Sequence, residues 1–116
     1  MDIYYYYLAF VIVQLIHSQE EIWTGFHKRW FVFKMPRWVF VTFELVFSAV
    51  IVSYALWPDL PFSSLVMPSF VLIMLINGIG HIVWGLIERR YVPGLVTAPF
   101  FIVLFTVYYF DIVGVF

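Results

Sequence analysis

The sequence has no cysteine among its 116 residues, which excludes disulfides and thiolate metal sites and leaves the redox compartment open. Charge is nearly as scarce. Asp, Glu, Lys and Arg make up 11% of the chain, against about 25% in a soluble domain. A water-soluble globule would lack polar residues to cover its surface. Intrinsic disorder and a solvated coiled coil need far more charge than this. Six Lys and Arg against seven Asp and Glu make no basic field, so nucleic acid is not expected as a partner. Internal repeats, low-complexity tracts and a linker to a second domain are missing too. What remains is apolar: 65% of residues are hydrophobic and 23% aromatic, with a mean hydropathy of +1.00. These proportions describe a polytopic membrane protein of one domain.

A spanning helix needs about 20 mostly apolar residues. Four stretches meet that need, roughly 3–24, 38–57, 66–88 and 94–116. The expected fold is therefore all-α, a four-helix transmembrane bundle. The start of the chain carries no basic region before its first apolar run, so that run is expected to be a retained span. All six basic residues fall in two of the breaks: Lys28, Arg29, Lys34 and Arg37 in the first, Arg89 and Arg90 in the third. The break between the second and third spans holds Pro58, Pro61, Ser63 and Ser64 and no basic residue. The positive-inside rule then makes the two basic loops cytoplasmic and faces both termini outward. Tyr4 to Tyr7, Trp57, Tyr108 and Tyr109 would lie at the outer interface, and Trp23, Trp30, Trp38, Trp84 and Tyr91 near the inner one. Residues 26–34 alternate basic and aromatic character, which suits a segment resting on anionic headgroups. Membrane lipids are the first expected partners, and the localisation is a cell membrane.

Ionisable groups inside a span are rare, each costing about 2.5–3.5 kcal/mol near the helix centre when charged. This chain nevertheless places His17, Glu20 and Glu21 in the first span, Glu44 in the second, and Asn77 and His81 in the third. His17 lies seven residues before Thr24, Glu44 seven after Arg37, and His81 seven before Glu88. At the helical rise, each is roughly 10 Å inside the cytoplasmic boundary. Glu20 and Glu21 flank His17 on its helix, and Asn77 and His81 share a face as an i,i+4 pair. Gly78, Gly80 and Gly85 would let neighbouring backbones approach the third helix.

Two imidazoles and several carboxylates at one depth suit a divalent cation such as zinc, iron or manganese. The expected ligands are His17, Glu20, Glu21 and His81. A neighbouring protonated carboxylate, Glu20 or Glu44, would serve as acid or base. Asn77 is expected to orient a ligand or cofactor rather than bind metal, because metal-bound His needs a hydrogen-bonding partner of its own. Plainer roles suit the rest. Glu88 with Arg89 and Arg90 reads as an interfacial charge cluster, His27 as solvated, and Asp111 as an outer-interface residue. Pro93 and Gly94 would end one turn and open the fourth helix.

Three ordered motifs run through the chain. They are His17-Ser18-Gln19-Glu20-Glu21, then Asn77-Gly78-Ile79-Gly80-His81, then Pro93-Gly94-Leu95-Val96-Thr97. In this order and spacing the chain resembles the small membrane family named for its HXXEE motif, a domain of uncharacterised function. Where that family usually shows Ala after the Asn, this chain has Gly78. The resemblance implies that His17, Glu20, Glu21, Asn77, His81 and Thr97 are site residues, with Thr97 helping to bind the cofactor. It names no substrate or reaction. The function expected on these grounds is an intramembrane metalloenzyme acting on a lipid or lipophilic small molecule from the cytoplasmic half of the bilayer. A small proton- or ion-coupled transporter or channel is the alternative; the outer half of the spans is nearly all apolar, so a continuous path needs residues there or a homo-oligomer with a pore between subunits. A non-catalytic subunit of a membrane complex is the third.

Overall fold

The computed structural model describes residues 2–115, and they are helical throughout apart from turns, with no strand among them. Five helices follow in order: α1 (Ile3–Trp23), α2 (Phe26–Arg29), α3 (Arg37–Leu56), α4 (Ser63–Glu88) and α5 (Ala98–Ile112). α3 and α4 are long and apolar enough to cross a membrane. α1 has 21 residues, but four tyrosines and the polar run around His17 dilute its apolar character. α5 has 15 residues, about 22 Å of helix against a hydrocarbon core of about 30 Å.

Local chemistry fixes the helix ends. Asp2 caps α1, its carboxylate accepting from the Tyr4 backbone N–H at 3.2 Å. α4 begins at Ser63, three residues before the expected start at 66, and carries Pro68 within its second turn. There the missing N–H removes a single bond near the helix end. The largest departure is in the last helix. The sequence reading opened it at 94, whereas Gly94 takes the left-handed region (φ 91°) and helix starts only at Ala98. Residues 92–97 are instead turns folded against the polar layer of the bundle.

α1 is the central helix and packs against α3, α4 and α5. The outer end is an apolar core built on Tyr7, Phe10, Ile51, Phe70, Val71 and Phe101. Tyr4, Tyr6 and Tyr7, expected at an interface, tie the helices together there. Tyr7 donates to the Ile51 carbonyl at 2.5 Å and Tyr4 to the Ala55 carbonyl at 2.8 Å, tying α1 to α3. Tyr6 donates to Asp111 Oδ2 at 3.0 Å and ties α1 to α5. The inner end is closed by Phe26, Phe40, Trp84 and Val92. α2 is thus drawn inward by Phe26, which stacks on Phe40 with ring centroids 5.0 Å apart. α4 and α5 lie so close at Gly78 that a Cβ there would stand 2.8 Å from the Ala98 carbonyl oxygen. The outward faces of α3 and α4 are apolar and exposed, with Leu45, Val46, Leu65 and Ile76 among them.

Candidate metal centre

Between the two apolar ends lies a layer of buried polar groups. His17 and Glu21 are one helical turn apart on α1 and so share a face. His81 comes from α4, carried to the same level where α4 crosses α1. One donor atom from each of the three falls within 4.8 Å of the others. His17 Nε2 is 3.5 Å from Glu21 Oε1, and His81 Nε2 is 3.3 Å from Glu21 Oε2. Both separations exceed a good N–H···O bond. The two imidazoles meet edge to face, centroids 4.7 Å apart, and His17 is wholly buried.

A second set of residues fixes how His17 is presented. The Glu20 carboxylate accepts from the backbone N–H groups of Val96 (3.1 Å) and Thr97 (3.0 Å), from Thr97 Oγ1 (2.7 Å) and from the Tyr91 hydroxyl. Four donors converge on this one carboxylate at the start of α5, where unsatisfied N–H groups and the helix dipole favour an anion. The single Thr97 hydroxyl proton therefore goes to Glu20. Its oxygen lies 2.6 Å from His17 Nδ1 and must accept from that ring nitrogen. This assigns the His17 proton to Nδ1 and leaves a lone pair on Nε2, facing the carboxylate of Glu21. Two lone-pair donors confronting one another in a buried site call for a cation or a proton between them. Asn77 Nδ2, 3.2 Å from the same Nε2, supplies a weak neutral donor. The Tyr91 hydroxyl, in the connection before α5, is held above its ordinary pKa of 10 by burial and then by its bond to Glu20.

Gly94 makes this arrangement possible. A Cβ at that position would lie 2.5 Å from His81 Cε1, 2.7 Å from His17 Cε1 and 2.7 Å from His81 Nδ1. The backbone of the α4–α5 connection is thus laid directly over both imidazoles, and only glycine combines that approach with a left-handed φ. His81 Nδ1 is buried and has no hydrogen-bond partner.

The structure brings together three of the four expected ligands: His17, Glu21 and His81. It turns the fourth, Glu20, away to the start of α5, because the helix N-terminus supplies more donors than the layer of His17, Glu21 and His81 does. Thr97 reaches the site through its hydroxyl, and Asn77 faces His17 across α1 and α4. Glu44, on α3, is buried beside this layer and accepts from Ser18 Oγ at 2.6 Å. Glu21, Glu44 and Asn77 also line a cavity of about 580 Å³ between α1, α3, α4 and the α2 region. Sequence reasoning gave no part to Ser18 and treated Gly94 only as a turn residue and Tyr91 only as an interfacial ring. The Pro-Gly-x-x-Thr motif was the signal that pointed there. Glu88, expected in an interfacial cluster, accepts from Arg90 Nε at 2.8 Å and from the Trp84 indole.

The chain belongs to the family described as proteins of unknown function with the HXXEE motif, whose family model matches residues 8–109. No curated protein and no solved structure gives a match to it.

Proposed function

For this HXXEE-motif chain we propose an integral membrane metalloprotein, an enzyme in which His17, Glu21 and His81 hold a divalent ion against a lipophilic substrate. The observation that carries the reading is His17 Nε2 facing Glu21 Oε1 at 3.5 Å, with His81 Nε2 on the other carboxylate oxygen at 3.3 Å and Thr97 Oγ1 on His17 Nδ1. The donor set fits a metal. Two imidazoles and one carboxylate with room for further ligands suit catalytic zinc or ferrous iron, whereas manganese prefers more oxygen donors. Thr97 and Glu20 then act as the supporting shell that a metal-bound His requires. A divalent ion in this place supplies Lewis-acid activation of water or of a polar group on the substrate.

The chain's own residues do the remainder. Phe101 against His17 and Phe26 near His81, with centroids 5.2 and 6.0 Å away, wall the site from the outer core and from the inner surface. Glu44, within the same cavity as Glu21, is the group placed to carry a proton to or from a bound molecule. The cavity walls are chiefly aromatic, which supports a lipid or another lipophilic small molecule as substrate. A transport path would have to pass the closed outer core at Phe10 and Phe101, both wholly buried.

In the bilayer, α1, α3, α4 and α5 form the four crossings, with both termini outside and the site towards the cytoplasmic leaflet, so the protein is multi-pass. The apolar exposed faces of α3 and α4 and the confinement of all six Lys and Arg to 25–37 and 89–94 support this frame. The short α5 crosses where the bilayer thins locally around it.

Elemental analysis of the purified chain tests the reading. Wild type is expected to carry about one zinc or iron ion per chain, and His17→Ala, Glu21→Ala and His81→Ala to carry almost none. Metal-free wild type after metal-replete expression, or full occupancy in His17→Ala, would overturn it.

A further inference from the structure

The cavity between α3 and α4 has a one-sided polarity. Six aromatic residues line it, Trp30, Phe40 and Phe43 among them, and its polar wall consists of Gln14, Glu21, Glu44 and Asn77. No Lys, Arg or His lines it among the described residues. Two of its four polar groups are carboxylates, and a third, the Gln14 Oε1, is a buried acceptor with no hydrogen-bond partner. Gln14 is 3% exposed and Glu44 5%. Ser18 is the one protein donor bonded to Glu44, and it uses one of the two carboxylate oxygens. The second Glu44 oxygen therefore has no cation to meet it among the described residues lining the cavity. Buried acceptors of this kind are matched by a donor-bearing ligand, and a carboxylate among them favours one with positive charge.

We infer that this cavity binds a single-chain aliphatic amine, with its ammonium on Glu44 and its chain along the aromatic walls. A primary ammonium donates to the Glu44 oxygen that Ser18 leaves free. An anionic headgroup would set like charges together in a low-dielectric site. The volume of about 580 Å³ lies in the range of one small ligand, about 300–1,000 Å³, and is too small to enclose a two-chain phospholipid. The inference names the substrate class of the site proposed above and rests on that reading for its lipophilic character, while its headgroup contact uses Glu44 rather than the metal ligands.

Native mass spectrometry of the full chain in detergent, titrated with dodecylamine, dodecanol and dodecanoate, tests it, with metal content measured in each sample. Dodecylamine is expected to bind about tenfold tighter than the alcohol and the acid, in chelator-treated protein as in untreated protein. Glu44→Gln keeps an acceptor for Ser18 and is expected to lose about that tenfold preference. Equal binding of the three headgroups by wild type overturns the inference even when metal is present. An amine preference in protein that never holds metal sustains the inference while the metal reading falls.

Discussion

The two ends of the bundle bury polar groups in opposite ways. In the outer core, tyrosines carry the polar atoms, and each hydroxyl meets one fixed acceptor: the Ile51 carbonyl for Tyr7, the Ala55 carbonyl for Tyr4 and Asp111 for Tyr6. Donor and acceptor are matched there, and the bonds bind α1 to its neighbours. In the inner layer that matching is incomplete. His17 Nε2 looks at Glu21, while His81 Nδ1 and Gln14 Oε1 have no partner at all. A buried acceptor without a donor costs about 1–3 kcal/mol, so packing alone would not select such a layer. The contrast separates a region that holds the fold from the one we propose receives a metal ion.

That contrast is broken most severely at Gly94. Gly94→Ala forces an L side chain into a left-handed φ, roughly 1–2 kcal/mol, and drives a methyl into both imidazoles, which adds about 1–3 kcal/mol of overpacking. Thermal unfolding in detergent should show the loss, and elemental analysis should find the metal gone. Phe10→Ala attacks the outer core instead. It should lower stability by about 3 kcal/mol, at the low end for a buried Phe because acyl chains resemble the core it leaves, with metal content unchanged. Thr97→Val removes the hydroxyl between His17 and Glu20 and should weaken metal affinity about 10- to 100-fold in a chelator competition. Thr97→Ser should restore it, whereas equal affinity in all three proteins would remove Thr97 from the supporting shell. Tyr7→Phe should cost about 1 kcal/mol in unfolding measurements and leave metal binding intact.

The smallest expected effect concerns pH. Because burial and Glu20 raise the Tyr91 pKa above 10, its clasp on Glu20 is fully present below that pH and is lost only as pH climbs through the raised value. Ultraviolet titration of wild type minus Tyr91→Phe should show one phenol ionising later than an ordinary tyrosine. A difference spectrum that rises at pH 10 or below would count against the clasp.

Much of the site was legible because period and depth are properties of a helix. His17 and Glu21 had to share a face at four-residue spacing, and His81 was expected at the depth of His17. Glu20 shows where this reasoning stops. One residue from Glu21 and three from His17, it was expected to bind metal and to act as acid or base. Its actual surroundings depend on where the chain returns 71 to 77 residues later to present Tyr91, Val96 and Thr97. The last helix was misjudged at its start for the same reason. Its apolar run extends from Leu95 onward, yet Gly94 and the turns around it are spent on covering the imidazoles.

Composition and hydropathy sufficed to determine an apolar, all-α chain with ionisable groups at one level and basic residues confined to two connections, since those follow from residue type and a fixed rise per residue. Which carboxylate faces the imidazoles, which one secures α5, which His17 nitrogen carries the proton and where the cavity opens were decided only by the packing of helices. Those outcomes depend on contacts between residues far apart in the chain, and helical periodicity carries no information about them.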